Sequence, residues 1–162
     1  MLHLVLVEPE IHWNTGNLGR TALAVGAQLH LVEPLGFSLD DKQVRRAGLD
    51  YWPRVEPRIW PSWAALAGAL PSLGEAWFFS SAATRPYWDA TFADDTVLLF
   101  GRESVGLPRE LVAAAGDHAL AIPMQDPALR SLNLSTAGAL AAYEVARQQA
   151  ARARSRSATP SR

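Results

Sequence analysis

Leu2-His3-Leu4-Val5-Leu6-Val7, followed by Glu8-Pro9-Glu10 and then by Asn14-Thr15-Gly16-Asn17-Leu18-Gly19-Arg20, is the stretch whose reading decides the fold. The first six residues form a nearly continuous apolar run, the pattern of a strand covered on both faces. From Thr15 the chain reads as a helix through Val25, with Gly26 near its C-terminal end. Working outward, further strands are predicted over residues 29–32, 76–80, 97–100 and 119–122. Helices are predicted over 62–70, capped by Ser62 after Pro61, and over 108–115, with Pro108 in the favourable first turn. Residues 40–47 read as a short charged helix with acids first and bases last, as the macrodipole favours. The last and longest helix opens at Ser131 or Ser135 and runs to about Ala151. Strands alternating with helices predict an α/β protein, a parallel sheet with helices on both faces.

The length of 162 residues suits one domain, and neither an internal repeat nor a linker interrupts it. The expected domain is 1–151, with 152–162 a disordered basic tail, since Ser-Arg-Ser-Ala-Thr-Pro-Ser-Arg lacks apolar residues to order itself. The net charge of −1 hides an asymmetry: every acid precedes residue 147, whereas the last sixteen residues carry five arginines. Such an end solubilises the chain or attracts nucleic acid. The absence of cysteine excludes disulfides, thiolate zinc sites and a cysteine nucleophile. Histidines 3, 12, 30 and 118 lack ligand spacing, so no metal site is expected. The N-terminal apolar run is too short to span a bilayer and has no basic leader, so a soluble, cytoplasmic protein is expected.

Three segments in fixed order carry the candidate chemistry, each where a strand gives way to a loop and a helix, the place where α/β proteins bind ligands. In Asn14–Arg20, Asn14 or Thr15 can cap the helix, and Gly16 and Gly19 let backbone approach a ligand. Arg20 lies near the positive end of that helix, where a cation does not help helix stability, so its placement hints at a role outside the helix. The second segment is Phe100-Gly101-Arg102-Glu103-Ser104-Val105-Gly106-Leu107-Pro108. Its glycines suit a sharp bend or a flat ligand, and Glu103 can orient a loop or accept a hydrogen bond from a sugar hydroxyl. The third is Ile122-Pro123-Met124, then Ser131-Leu132-Asn133-Leu134-Ser135 and Tyr143-Glu144. There apolar Ile122, Leu132 and Leu134 alternate with polar Ser131, Asn133 and Ser135, which suits a purine slot and equally a helix cap with core leucines. A dinucleotide fingerprint with Glu33 as ribose carboxylate fails, because Asn14 stands at the first glycine; no phosphate-binding loop or nucleophile elbow is present either. Asp40-Asp41 and Asp94-Asp95 read as turn and cap residues, and Trp13 can stack on a base.

As an ordered set, with Glu33-Pro34-Leu35-Gly36-Phe37 and Arg45-Arg46-Ala47-Gly48-Leu49-Asp50-Tyr51, these segments resemble the SPOUT RNA methyltransferases. The closer likeness, over residues 5–148, is to the small members that methylate a ribose 2′-hydroxyl of the tRNA wobble nucleotide, cytidine or modified uridine. The resemblance implies a SPOUT α/β knot with a C-terminal trefoil knot, S-adenosylmethionine as cofactor, a homodimer, and the tRNA anticodon stem-loop as partner. It places Phe79, Gly101, Ile122, Ser131 and Leu132 around the cofactor, and Arg20, Glu103, Ser131, Asn133 and Tyr143 at the catalytic face. Lys42, Arg45, Arg46, Arg130 and Arg147 are the expected phosphate contacts. Dimerisation is expected through the first and last helices, the latter rich in alanine at 137, 139, 141, 142 and 146. Two departures mark this chain: His12-Trp13 stands where a pair of prolines is expected, and the loop 125–130 is one residue longer. The alternatives are an RNA-binding SPOUT protein without transfer, a 2′-O-methyltransferase for another RNA position, and a nicotinamide oxidoreductase.

Overall fold

The computed structural model describes residues 1–39 and 50–157. Its strands are β1 (Leu2–Val7), β2 (Gln28–Val32), β3 (Arg58–Trp60), β4 (Glu75–Phe79), β5 (Arg85–Pro86), β6 (Thr96–Phe100) and β7 (Ala119–Ala121). They form one seven-stranded sheet in the order β3-β2-β1-β6-β4-β7-β5, with every neighbouring pair parallel. The helices are α1 (His12–Val25), α2 (Trp63–Leu73), α3 (Arg109–Ala115) and α4 (Leu134–Ser157).

Alternation along each strand sorts side chains into two cores. In β1, Leu4 and Leu6 join one cluster with Leu18 and Ala22 of α1 and Ala141, Ala142 and Val145 of α4. Val5 and Val7 join the other, with Leu66 of α2 and Leu107, against which Val112 of α3 packs. The expected parallel sheet with helices on both faces is therefore observed. The chain leaves β1 toward β2 and leaves β6 toward β7, so the strand order diverges between β1 and β6. The loops beyond the carboxyl ends of these two strands flank a crevice of the kind where such sheets bind ligands.

Several boundaries differ from the sequence reading. Helix α1 starts at His12 rather than Thr15, so Asn14 and Thr15 lie buried in its first turn and neither is its N-cap. Ile11 holds the N-cap position without a side-chain bond. Strands β3 and β5, of three and two residues, escaped the pattern because they are shorter than the usual strand and carry Arg58, Arg85 and Pro86. Helix α4 is opened by Asn133, not by either serine: its Oδ1 accepts from the N–H groups of Ser135 (3.0 Å) and Thr136 (3.2 Å). The same helix continues past residue 151 to Ser157, so residues 152–157 of the expected tail are helical. Arg152 and Arg156 hold this extension, each 3.2 Å from a carboxylate oxygen of Asp94. The expected helix 40–47 and residues 158–162 lie outside the described residues.

Small residues of α4 also pack within the chain. Ala141 and Ala142 are fully buried inside the chain, and a Cβ on Gly138 would fall 2.5 Å from Leu18 Cδ1. These small residues let α4 close on α1 of the same chain. Among the described residues, no helix is long and apolar enough to cross a membrane, and no His, Cys, Asp and Glu group can hold a metal ion.

Candidate active site

Beyond the carboxyl ends of β4, β6 and β7 lies a cavity of about 880 Å³. Its apolar wall begins with Phe79 and Phe100, whose rings stack 4.8 Å apart, and continues through Ile122 and Leu132. Gly101 forms part of the lining, and here only glycine fits. The loop doubles back through an Arg102–Gly106 bridge, and a Cβ on Gly101 would meet Gly106 C and Leu107 N at 2.1 Å. Ser131, Asn133 and Arg130 complete the mouth. Among the described residues the Ser131 side chain has no hydrogen-bond partner, which leaves its hydroxyl available to a ligand.

Three carboxylates stitch the loop after β1 to the loop after β6. Glu103 Oε2 accepts from the Glu10 N–H (2.8 Å), and its Oε1 accepts from the Ile11 N–H (3.2 Å) and from Asn14 Nδ2 (3.0 Å). Glu103 thereby does what no side chain of the N-cap does: it satisfies donors at the start of α1 and places negative charge at the positive end of the helix. Glu10 reciprocates, accepting from the Ser104 N–H and hydroxyl, each at 2.9 Å. Glu8 pairs with Arg102. The second segment's acid thus has its oxygens committed to orienting a loop. Asn14 links this network to the third segment, because its Oδ1 accepts from Asn133 Nδ2 at 2.8 Å. Asn133 therefore lines the cavity with its amide already divided between Asn14 and the cap of α4.

The predicted site residues fall into two groups. Phe79, Gly101, Glu103, Ile122, Arg130, Ser131, Leu132 and Asn133 line one cavity. Arg20, Tyr143 and Arg147 do not. Arg20 is exposed on α1, its Cζ 4.5 Å from the centroid of the Tyr51 ring. Tyr143 is 56% exposed on α4. Arg147 is held by two bonds to Glu144, at 2.7 and 2.8 Å, which keep the Glu144 carboxyl below its usual range. Lys42, Arg45 and Arg46 lie outside the described residues. Sequence reasoning missed Glu10 and the linking role of Asn14. The signal available was Glu8-Pro9-Glu10 immediately before a helix that lacks a capping side chain of its own.

A parallel sheet with a cavity at its switch point, apolar walls and a few convergent polar groups defines an α/β protein that binds a nucleotide-sized ligand. Residues 1–143 match the SpoU rRNA Methylase family, and the chain belongs to it. It is 47% identical over 150 residues to the tRNA (cytidine(34)-2′-O)-methyltransferase of Acidovorax sp. strain JS42, covering 91% of this chain and 92% of that one. A solved structure described as giving insights into the 2-OH methylation of C/U34 on tRNA is 48% identical, with a TM-score of 0.86 over 93% of this chain and 97% of that one. An AdoMet-bound rRNA methyltransferase from Sinorhizobium meliloti is 26% identical, with a TM-score of 0.72 over 90% of this chain and 56% of that one.

Proposed function

We propose that the protein, like the Acidovorax relative, is a tRNA 2′-O-methyltransferase acting on cytidine at the wobble nucleotide, position 34, that it uses S-adenosylmethionine, and that it also accepts modified uridine there. The observation that carries this reading is 47% identity to that relative over 150 residues, in a chain where all three motifs contribute residues to one cavity. The cavity fits the cofactor: Phe79, Ile122 and Leu132 offer apolar walls to a purine, Gly101 admits close backbone approach, and Ser131 has a hydroxyl to give. When bound there, S-adenosylmethionine supplies a methyl group on a positively charged sulfur.

The residues then have to align and activate a ribose hydroxyl that is barely ionised at neutral pH. Alignment can contribute roughly 7–11 kcal/mol. The guanidinium of Arg20 is the group we assign to the negative charge developing on the acceptor oxygen. Such a group keeps its proton at neutral pH and is a poor general base, so its contribution is electrostatic. Glu103, Asn14 and Asn133 hold the loops in register; we assign Tyr143 to the acceptor side and Lys42, Arg45, Arg46, Arg130 and Arg147 to phosphate contacts.

This reading includes a C-terminal trefoil knot, a homodimer through the faces of α1 and α4, the anticodon stem-loop as binding partner, and a cytoplasmic location. The exposed apolar side chains of Trp13 on α1 and Leu140 on α4 support the dimer face. Radiolabelled methyl transfer to tRNA from cells lacking ribose methylation, followed by nucleoside analysis, tests the proposal. Label on a 2′-O-methylated wobble nucleotide is the expected result. Label elsewhere discards the wobble assignment, and cofactor binding without transfer favours an RNA-binding role.

A further inference from the structure

We infer that Tyr51 is the positioning residue for Arg20, fixing the direction of its guanidinium from a segment remote in sequence; this rests on the reading of Arg20 given above. Three contacts converge there. The Arg20 Cζ lies 4.5 Å from the Tyr51 ring centroid, within the range where a cation is drawn to an aromatic face. The Tyr51 hydroxyl donates to the Gly16 carbonyl of α1 at 2.9 Å, one helical turn before Arg20. Behind Tyr51, the chain enters a one-turn 3-10 helix, Trp52–Arg54, and Trp52 and Val55 are buried in the core. That segment lies so close to α1 that a Cβ on Gly19 would meet Trp52 Cζ3 at 3.0 Å and Val55 Cγ2 at 3.2 Å.

Both edges of the ring are thus fixed: the hydroxyl on the backbone of α1, the backbone end by residues anchored in the core. Arg20 has no comparable support. It is exposed, and among the described residues it forms no ion pair, so without Tyr51 its long side chain samples many rotamers. Gly19, read from sequence as allowing backbone approach to a ligand, admits this segment, and the Gly16 carbonyl accepts its tyrosine hydroxyl. An arginine that must meet developing charge at one point gains from a surface that limits where it goes. Burial raises the Tyr51 hydroxyl above its ordinary range against the pull of Arg20, which keeps it a donor to Gly16 at working pH.

The test uses full-length Tyr51→Leu and Tyr51→Phe, alone and combined with Arg20→Ala, with folding checked by thermal denaturation. Tyr51→Leu is expected to lower kcat about tenfold to 100-fold, with KM for S-adenosylmethionine unchanged. Tyr51→Phe keeps the ring and recovers most of that loss. In the Arg20→Ala background, Tyr51→Leu is expected to cost nothing more. Full turnover by Tyr51→Leu, or an equal loss with and without Arg20, overturns the inference. Full turnover by Arg20→Ala alone overturns the reading of Arg20 instead. Without any assay, the Arg20 Nε–H resonance should lose its ring-current shift in Tyr51→Leu, and an unmoved resonance overturns the proposed contact.

Discussion

The cavity and the outer face of α1 and α4 are built in opposite ways. At the cavity, Glu103 and Asn133 carry bonds on their side-chain polar atoms and Glu10 of the adjoining loop answers Ser104, while Ser131 keeps its hydroxyl for a ligand. On the outer face, Arg20 and Tyr143 stand exposed, and Arg20 lies against the Tyr51 ring. One region is preorganised to hold a compact ligand, while the other leaves Arg20 and Tyr143 exposed. Cofactor binding and acceptor chemistry should therefore separate under mutation.

The sharpest way to break this contrast is Arg20→Ala. Turnover should fall about 10²–10³-fold while calorimetry shows unchanged cofactor affinity. Arg20→Lys should fall too, and near-normal turnover by that variant would refute a need for guanidinium geometry. Gly101→Ala is the reverse experiment. Its added Cβ meets backbone at 2.1 Å, closer than any tolerated packing. The strain exceeds ordinary overpacking of about 1–3 kcal/mol, so cofactor affinity should drop by about 100-fold or more. Normal affinity by calorimetry would place the cofactor elsewhere.

Acid sensitivity should come from neither region but from the layer under α2. His30 is almost fully buried, with Nδ1 accepting from Trp60 Nε1 at 3.0 Å and Nε2 lying 2.9 Å from His3 Nδ1. Burial first, then His3 and Arg58, lower its pKa from 6.5 to about 4. Between those values the unfolded chain binds the proton and the folded chain does not, so stability rises with pH. About 3 kcal/mol present at pH 7 should be lost as pH falls to about 4, with the lowered pKa of His3 adding in the same direction. Urea midpoints across this range check it, and His30→Gln should flatten the curve. The smallest effect is Glu103→Gln, which replaces the carboxylate at the start of α1 with an amide. It should cost about 1 kcal/mol in chemical denaturation, and no change would mean that the loop stitching is not stabilising.

Much of this was legible because it repeats locally. The apolar run of β1 announced a strand buried on both faces, and the alternation from Ser131 to Ser135 left open a slot or a helix cap, a segment that in the structure both lines the cavity and, through Asn133, caps α4. Where local pattern allowed two answers it misled. Asn14 and Thr15 have the chemistry of caps, yet a glutamate some ninety positions away in the chain satisfies the helix start. Ala141 and Ala142 of α4 read as part of a surface for a second copy, yet both are buried within their own chain.

Local pattern in the sequence carries the class of fold and the two-sided sheet, since periodicity, glycine and proline act within a few residues; Phe79, Gly101, Ile122, Ser131 and Leu132 were placed by the family resemblance, and Ser80, Ala82, Arg109 and Val112 of the same lining by neither. The tertiary structure alone decided which polar groups spend themselves on one another and which remain for a ligand. Glu103 with Asn14, Asn14 with Asn133, and Tyr51 with Arg20 are pairings across distant segments, set by the parallel register and the switch between β1 and β6, and no local preference encodes them.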